Sequence, residues 1–180
     1  GDHVRNNEDV CPYLHDDQAD ADGDGKGDVC DPCPSESNPG LLGCTVGLRA
    51  IRDASDPDHP ADGSAVVLSG LIVSGLRAGY GYYVQDPDES DFGGIFVYDL
   101  GEASVSVGDE VGVSGTYTEY YDMSEIADPT TTVTGSAAVP DPIDISDPCA
   151  IATSGADAER YESMRIAVRR VTVTDINPDA

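Results

Sequence analysis

The sequence predicts a mainly β protein in two parts, an irregular disulfide-stapled repeat followed by a small Greek-key β-barrel. Three observations carry this. Four of the five cysteines fall within the first 44 residues, in a stretch rich in glycine and aspartate. That stretch has no apolar periodicity, so it cannot build a core of its own. From Ser64 onward, short runs of β-branched and aromatic residues alternate with glycine-rich turns. The expected division is residues 1–44 for the repeat, 45–63 for a linker and 64–180 for the barrel.

Charge narrows the possible partners. The chain of 180 residues carries 35 acidic and 9 basic side chains, a formal net charge of -26. Nucleic-acid affinity rests on lysine and arginine neutralising phosphate, so nucleic acid is not an expected partner. Anionic membrane surfaces repel such a chain, and cations are drawn to it. An acid-rich surface also suits a high-salt habitat. No run of about twenty apolar residues occurs, so no membrane insertion is expected, and no signal peptide is legible.

The acids are not evenly spread. Asp20-Ala21-Asp22-Gly23-Asp24-Gly25-Lys26-Gly27-Asp28-Val29-Cys30-Asp31 places aspartates at loop positions one, three, five, nine and twelve, with glycine at six. This is the spacing of an EF-hand-type calcium loop. Alternate side chains of a tightly wound loop converge on one point, and glycine permits the sharp turn. Asp20, Asp22 and Asp24 are expected to give side-chain oxygens, Lys26 its backbone carbonyl and Asp31 the closing carboxylate, with Asp28 at position nine. Hard oxygen donors in this number suit calcium better than magnesium, which keeps more of its water. A solvated acidic loop is the plain alternative.

The cysteines supply the second restraint. Cys30 and Cys33 form the single close pair, and flanking acids disfavour the thiolates that zinc needs. A disulfide framework in an oxidising compartment fits better, with Cys11 paired to Cys30 and Cys33 to Cys44. The first bridge closes a loop of roughly twenty residues and stabilises by about 3 kcal/mol. Cys149 is left over, either as a buried thiol or as a cross-linking residue.

An internal repeat is also legible. Asp9-Val10-Cys11-Pro12 returns as Asp31-Pro32-Cys33-Pro34, and the residue five places after each cysteine is polar, Asp16 and then Asn38. Cys11-Pro12, Gln18, Asp20 to Asp31 and Cys33-Pro34 together resemble a thrombospondin type 3 repeat over about residues 9–44, although the segment from Cys11 to Gln18 is one residue shorter than the usual pattern. The resemblance implies extracellular calcium binding, consecutive disulfides and little regular secondary structure. A second, shared ion would rest on Asp9 and Asp28. The ion is expected as a structural staple, since close aspartates repel by about 4 kcal/mol per pair at an intermediate dielectric and no apolar core offsets this.

Residues 45–64 read as a short apolar lead-in around Leu48 and Ile51, followed by a solvated loop bearing Asp53, Asp56 and Asp58. Strands are predicted at Ala65 to Ser74 with a bend at Gly70, at Tyr82 to Asp86, at Gly93 to Tyr98, at Val111 to Tyr120, at Thr130 to Thr134 and at Ile166 to Ile176. One or two helical turns are predicted between Asp157 and Ser163. Short strands, glycine bends and one long, coiled fourth strand suggest an OB-fold. Tyr82 to Asp86, Gly94 to Tyr98, Val107-Gly108-Asp109, Gly115 to Tyr120, Ser124-Glu125-Ile126 and Tyr161 to Met164 resemble the OB-like accessory domain of secreted bacterial nucleases of the endonuclease/exonuclease/phosphatase type. That resemblance covers about residues 64–176 and does not include a catalytic domain.

No catalytic constellation is predicted. His3, His15 and His59 read as exposed histidines of acidic loops, and no Gly-x-Ser-x-Gly elbow occurs. Between Arg77 and Arg160 there is no basic side chain, so the tyrosines read as packing residues and not as a nucleic-acid platform. Arg160, Arg165, Arg169 and Arg170 are expected to offset nearby acids. The expected function is a non-catalytic, secreted or cell-surface calcium-binding structural or adhesive module. One alternative is a subunit of a calcium-stabilised filament or matrix, self-associating through Cys149 and a terminal strand from Arg165 to Thr174. The other is an accessory region of a secreted nuclease.

Overall fold

A computed structural model describes residues 4–101 and 104–172. Its main body is a ring of five strands: β2 (Ala65–Arg77), β3 (Gly81–Gln85), β4 (Gly94–Tyr98), β5 (Asp109–Tyr120) and β6 (Met123–Ser136). Going round the ring, β2 pairs with β3 and β3 with β4, both antiparallel. Then β4 runs parallel to β6, β6 antiparallel to β5, and β5 antiparallel to β2. This closed order with one parallel pair is an OB-like Greek-key barrel. Its interior is filled by Leu68, Val73, Tyr82, Ile95, Val111 and Ile126, all at most 1% exposed.

Bends occur where the backbone allows them. The β2–β5 register shifts between Leu68 and Leu71, and Gly70 there has φ +71°. A bulge at this point lets one strand pair with β5 at one end and β3 at the other. A second shift lies between Ser114 and Thr116, opposite Asp128 with φ 49°. Tyr121 and Asp122 both have positive φ and close a two-residue turn between β5 and β6, the conformation that matches strand twist.

The predicted strands are found, with corrected limits. β6 starts at Met123, seven residues before Thr130, because Asp128-Pro129 is accommodated at the bulge instead of ending the strand. The terminal strand is short. β8 (Ile166–Val168) pairs in parallel with β7 (Ile143–Ile145), away from the barrel sheet. Arg170 adopts φ 59°, which interrupts the extended run. Thr174 and Ile176 lie outside the described residues.

Residues 45–63 hold more structure than a plain loop. β1 (Cys44–Thr45) pairs in parallel with Val66 and Val67 of β2, and Val46 N–H donates to Val67 O at 3.0 Å. A side chain at Gly43 would meet Ala65 O at 2.1 Å, so this close approach requires glycine. α1 (Leu48–Arg52) follows. Its buried residues Leu48, Ile51 and Arg52 are spaced i, i+3, i+4, one face of a helix. Leu48 and Ile51 join the barrel core. A 3-10 turn (Pro148–Ile151) and α2 (Ala158–Tyr161) complete the elements.

The N-terminal segment lies outside this core. Between residues 4 and 43, Cys11 is the one buried apolar side chain among the described residues. Two disulfides hold the segment instead, Cys11–Cys30 and Cys33–Cys44. Cys11 sits against Gly27, where an added Cβ would meet Cys11 Sγ at 2.7 Å.

Candidate metal centre

The loop from Asp20 to Asp31 is shaped by its own amides. Asp20 Oδ1 accepts from Gly23 N–H at 2.8 Å and Asp24 N–H at 3.2 Å, while Oδ2 accepts from Gly25 N–H at 3.0 Å. Asp22 Oδ1 accepts from Asp24 N–H, and Asp24 Oδ1 from Lys26 N–H at 2.8 Å. Gly25, at loop position six, has φ +92°, a conformation glycine adopts without penalty. Exposure alternates along this stretch, with Ala21, Gly23 and Gly25 outward and Asp22, Asp24 and Lys26 half-buried.

The winding brings three carboxylates together. One oxygen each from Asp20, Asp22 and Asp24 lies within 4.8 Å of the others, the one such grouping among the described residues. Asp31 is not in that trio, yet it is 7% exposed and its charge acts on Asp22. Its Oδ1 accepts from Cys33 N–H at 2.9 Å. Asp31 Oδ2 and Asp22 Oδ2 are buried without a hydrogen-bond partner. Burial pushes the Asp22 carboxyl above its ordinary value, the Asp24 amide opposes this, and the charges of Asp24, Asp31 and Asp20 add to it. Buried, unpaired carboxylate oxygens are unfavourable unless a cation neutralises them.

Asp28 is engaged elsewhere. Its Oδ1 accepts from Ala21 N–H at 2.8 Å, a bond that fastens the far side of the loop to its start. The Lys26 ammonium donates to Asn38 O at 2.5 Å and Leu42 O at 3.5 Å.

Asn38 was not expected at the site. It is 2% exposed, its backbone N–H donates to Asp24 Oδ2 at 2.8 Å, and its Nδ2 donates to Leu42 O at 3.2 Å. Asn38 Oδ1 is buried with no partner. The signal that could have found it is the repeat itself, which places a polar residue five positions after each cysteine. The corresponding Asp16 receives the Gln18 amide at 2.6 Å, and Gln18 also reaches Asp9 Oδ1 at 3.0 Å. Asp9 therefore contacts Gln18, while Asp28 contacts Ala21.

A fit to calcium follows from the donors. Asp20, Asp22, Asp24 and Asp31 are hard oxygen donors in a loop with the required glycine turn, and two of their oxygens lack any other partner. Such a set suits an oxygen-loving divalent cation.

The remaining sequence-predicted groups fall elsewhere. His15 is exposed, and His3 lies outside the described residues. His59 departs from the expectation: it is half-buried, its Nδ1 lies 3.1 Å from Ala50 O, and its ring meets Tyr117 edge-on at 5.6 Å. It lines a cavity of about 430 Å³ with Arg52, Tyr117, Glu119, Ser124 and Glu159. Polar groups there bond to one another. Tyr117 donates to Glu119 at 2.6 Å, Ser124 contacts Glu119 and Arg52, and Arg52 pairs with Glu162 at 2.6 Å. Burial, together with Glu119, pushes the Tyr117 phenol up. Cys149 is an exposed thiol, not a buried one. Arg160 pairs with Asp91 and Arg169 with Asp144, whereas Arg165 donates to Pro140 O. Tyr82 and Tyr117 are core residues, while Tyr80, Tyr120 and Tyr121 are exposed.

No protein-family model matches the chain, and no curated protein matches it. Among solved structures, the hypothetical protein ygiW from E. coli is similar over 41% of this chain and 80% of that one, at 23% identity and a TM-score of 0.31.

Proposed function

We propose that this protein is a non-catalytic, calcium-binding structural module of an oxidising, extracellular setting, in which the ion acts as a staple. The observation that carries this reading is the convergence of Asp20, Asp22 and Asp24 beside two buried carboxylate oxygens with no protein partner. The two disulfides support the compartment. The loop spacing and the consecutive disulfides support the likeness to a thrombospondin type 3 repeat.

The ion would supply charge neutralisation and no chemistry. Asp20, Asp22, Asp24 and Asp31 would hold it, with the Lys26 carbonyl as a further donor. Binding then replaces the missing core: at a hundred times the dissociation constant it adds about 2.7 kcal/mol. The β-barrel, tied to the repeat through β1, would present a binding or assembly surface at a fixed angle.

The test is thermal unfolding in calcium, in magnesium and in chelator. Calcium should raise the melting temperature well beyond magnesium, and Asp22→Ala and Asp24→Ala should each remove most of that shift. Identical melting in all three solutions would refute the proposal.

A further inference from the structure

The cavity beside Arg52 has no part in the calcium reading. At about 430 Å³ it has the size of a small-molecule site. It lies at the end of the barrel where β5 turns into β6. Tyr117 and Glu119 come from the end of β5, Ser124 from the start of β6, Arg52 from the end of α1 and Phe92 from the loop before β4. Arg52, Tyr117 and Ser124 are each at most 4% exposed, so the lining includes buried polar side chains.

Most of their atoms are engaged. Arg52 Nη1 contacts Ser124, while Nη2 donates to Glu159 O at 2.9 Å and pairs with Glu162 at 2.6 Å. Ser124 and Tyr117 both donate to Glu119 Oε1. Three atoms are left over. Arg52 Nε is buried with no hydrogen-bond partner, a state that a ligand or water normally relieves. His59 Nδ1 lies 3.1 Å from Ala50 O, which places the proton of a neutral ring there and leaves Nε2 as an acceptor. Glu119 Oε2 takes no bond among the described residues.

This remainder selects among ligands. A phosphate or carboxylate would meet Asp53, Glu119 and Glu159 in the same lining. It would also lack a two-pronged partner, because both Arg52 Nη groups are taken. An ammonium has no acceptor to offer Arg52 Nε. A hydroxyl accepts from Arg52 Nε and donates to His59 Nε2 or Glu119 Oε2. Phe92 adds an apolar wall, held at φ 53°, a costly conformation for a bulky residue. His59 also lines a second cavity, of about 690 Å³, between the repeat and the barrel. The two hollows thus adjoin along one side chain, with room for more than one ring.

We propose that this cavity binds a neutral saccharide, its hydroxyls bonded to Arg52 Nε, His59 Nε2 and Glu119 Oε2 and its C–H face laid on Phe92. No residue of the aspartate loop lines the cavity, so the proposal stands apart from the calcium reading.

The test is a printed array of neutral, amino and acidic saccharides probed with the labelled full chain. Isothermal titration with the strongest neutral saccharide follows, with spermidine and inorganic phosphate as the competing charge types. The expected result is saturable binding of a neutral saccharide, retained in chelator and in Asp22→Ala. Phe92→Asn removes the ring with a residue that tolerates positive φ. His59→Phe keeps a ring against Tyr117 but removes Nε2. Each should weaken binding about tenfold with far-ultraviolet circular dichroism unchanged, and either one decides the matter if the other fails to fold. No binding to any neutral saccharide would overturn the proposal. So would binding that a folded variant leaves intact, or tighter binding of spermidine or phosphate.

Discussion

The backbone N–H of Asn38 donates to Asp24 Oδ2 at 2.8 Å, fastening the second half-repeat to the aspartate loop of the first. The same residue's carbonyl receives the Lys26 ammonium, and its side chain holds Leu42 O. Two residues beyond Leu42 the chain enters β1 and the barrel sheet. The aspartate loop is thus linked to the barrel by a short, bonded path closed by Cys33–Cys44.

Asn38→Ala removes the amide that holds Leu42 O. Loss of that partly buried bond should lower stability by about 1 kcal/mol. Hydrogen exchange at Val46 N–H, which bonds Val67 O, should quicken in the variant. Unchanged exchange there would show that the path does not couple the two parts.

Asp31→Asn separates repulsion from binding. The variant keeps an oxygen to accept from Cys33 N–H but loses a buried charge that has no partner on Oδ2. Without calcium, its melting temperature should equal or exceed that of the parent chain. With calcium, the stabilisation should shrink from about 2.7 kcal/mol at a hundredfold excess over the dissociation constant to a small fraction of it. A full calcium response in the variant would remove Asp31 from the ligand set.

Arg52 is buried at 4% exposure and pairs with Glu162 at 2.6 Å. Burial holds the Glu162 carboxyl above its ordinary value, and Arg52 counters this. Arg52→Met leaves that acid without its partner and should cost about 3–5 kcal/mol in denaturant unfolding. Adding Glu162→Gln should recover much of the loss. Equal stability of the single variant and the parent would mean that α1 is not part of the cooperative barrel.

Asp91, in the loop between β3 and β4, joins two helices. Arg49 of α1 holds it at 2.5 Å and Arg160 of α2 at 2.6 Å. The Arg49 hydrogen bond, with Arg160 adding to it, holds the Asp91 carboxyl below its ordinary value. The folded state therefore binds this proton less readily than the unfolded chain. The resulting stability is fully present above the unfolded value of about 3.9 and is lost as pH falls through the lower folded value. Because both arginines are partly exposed, Asp91→Asn should cost only about 1 kcal/mol at neutral pH. The gap between variant and parent should begin to narrow in melting curves below about pH 4 and close once pH passes beneath the lowered folded value. A gap that persists there would point to packing instead of charge.

Local chemistry made much of this legible in the sequence. The converging aspartates, the two disulfides and the bend at Gly70 each follow from a few neighbouring residues. So do most strand positions, since β-branched runs between glycines leave few alternatives. What escaped depends on contacts across the chain. α1 spans only five residues, too few for a periodic signal, and is fixed by burying Leu48 and Ile51 in the barrel. Asp128-Pro129 reads as a break in the sequence, whereas a bulge opposite Gly115 carries β6 through it. Alternation predicts a longer terminal strand because it cannot reveal the positive φ of Arg170. At the candidate metal centre, Asn38 was hidden because its backbone, not its side chain, meets Asp24.

Isothermal titration of the chelator-stripped protein with calcium measures the central claim directly. Saturable binding at the loop, lost in Asp22→Ala and absent with magnesium at the same concentration, is the predicted result. No calcium heat, or heat unchanged by Asp22→Ala, would contradict a metal centre built on Asp20, Asp22 and Asp24.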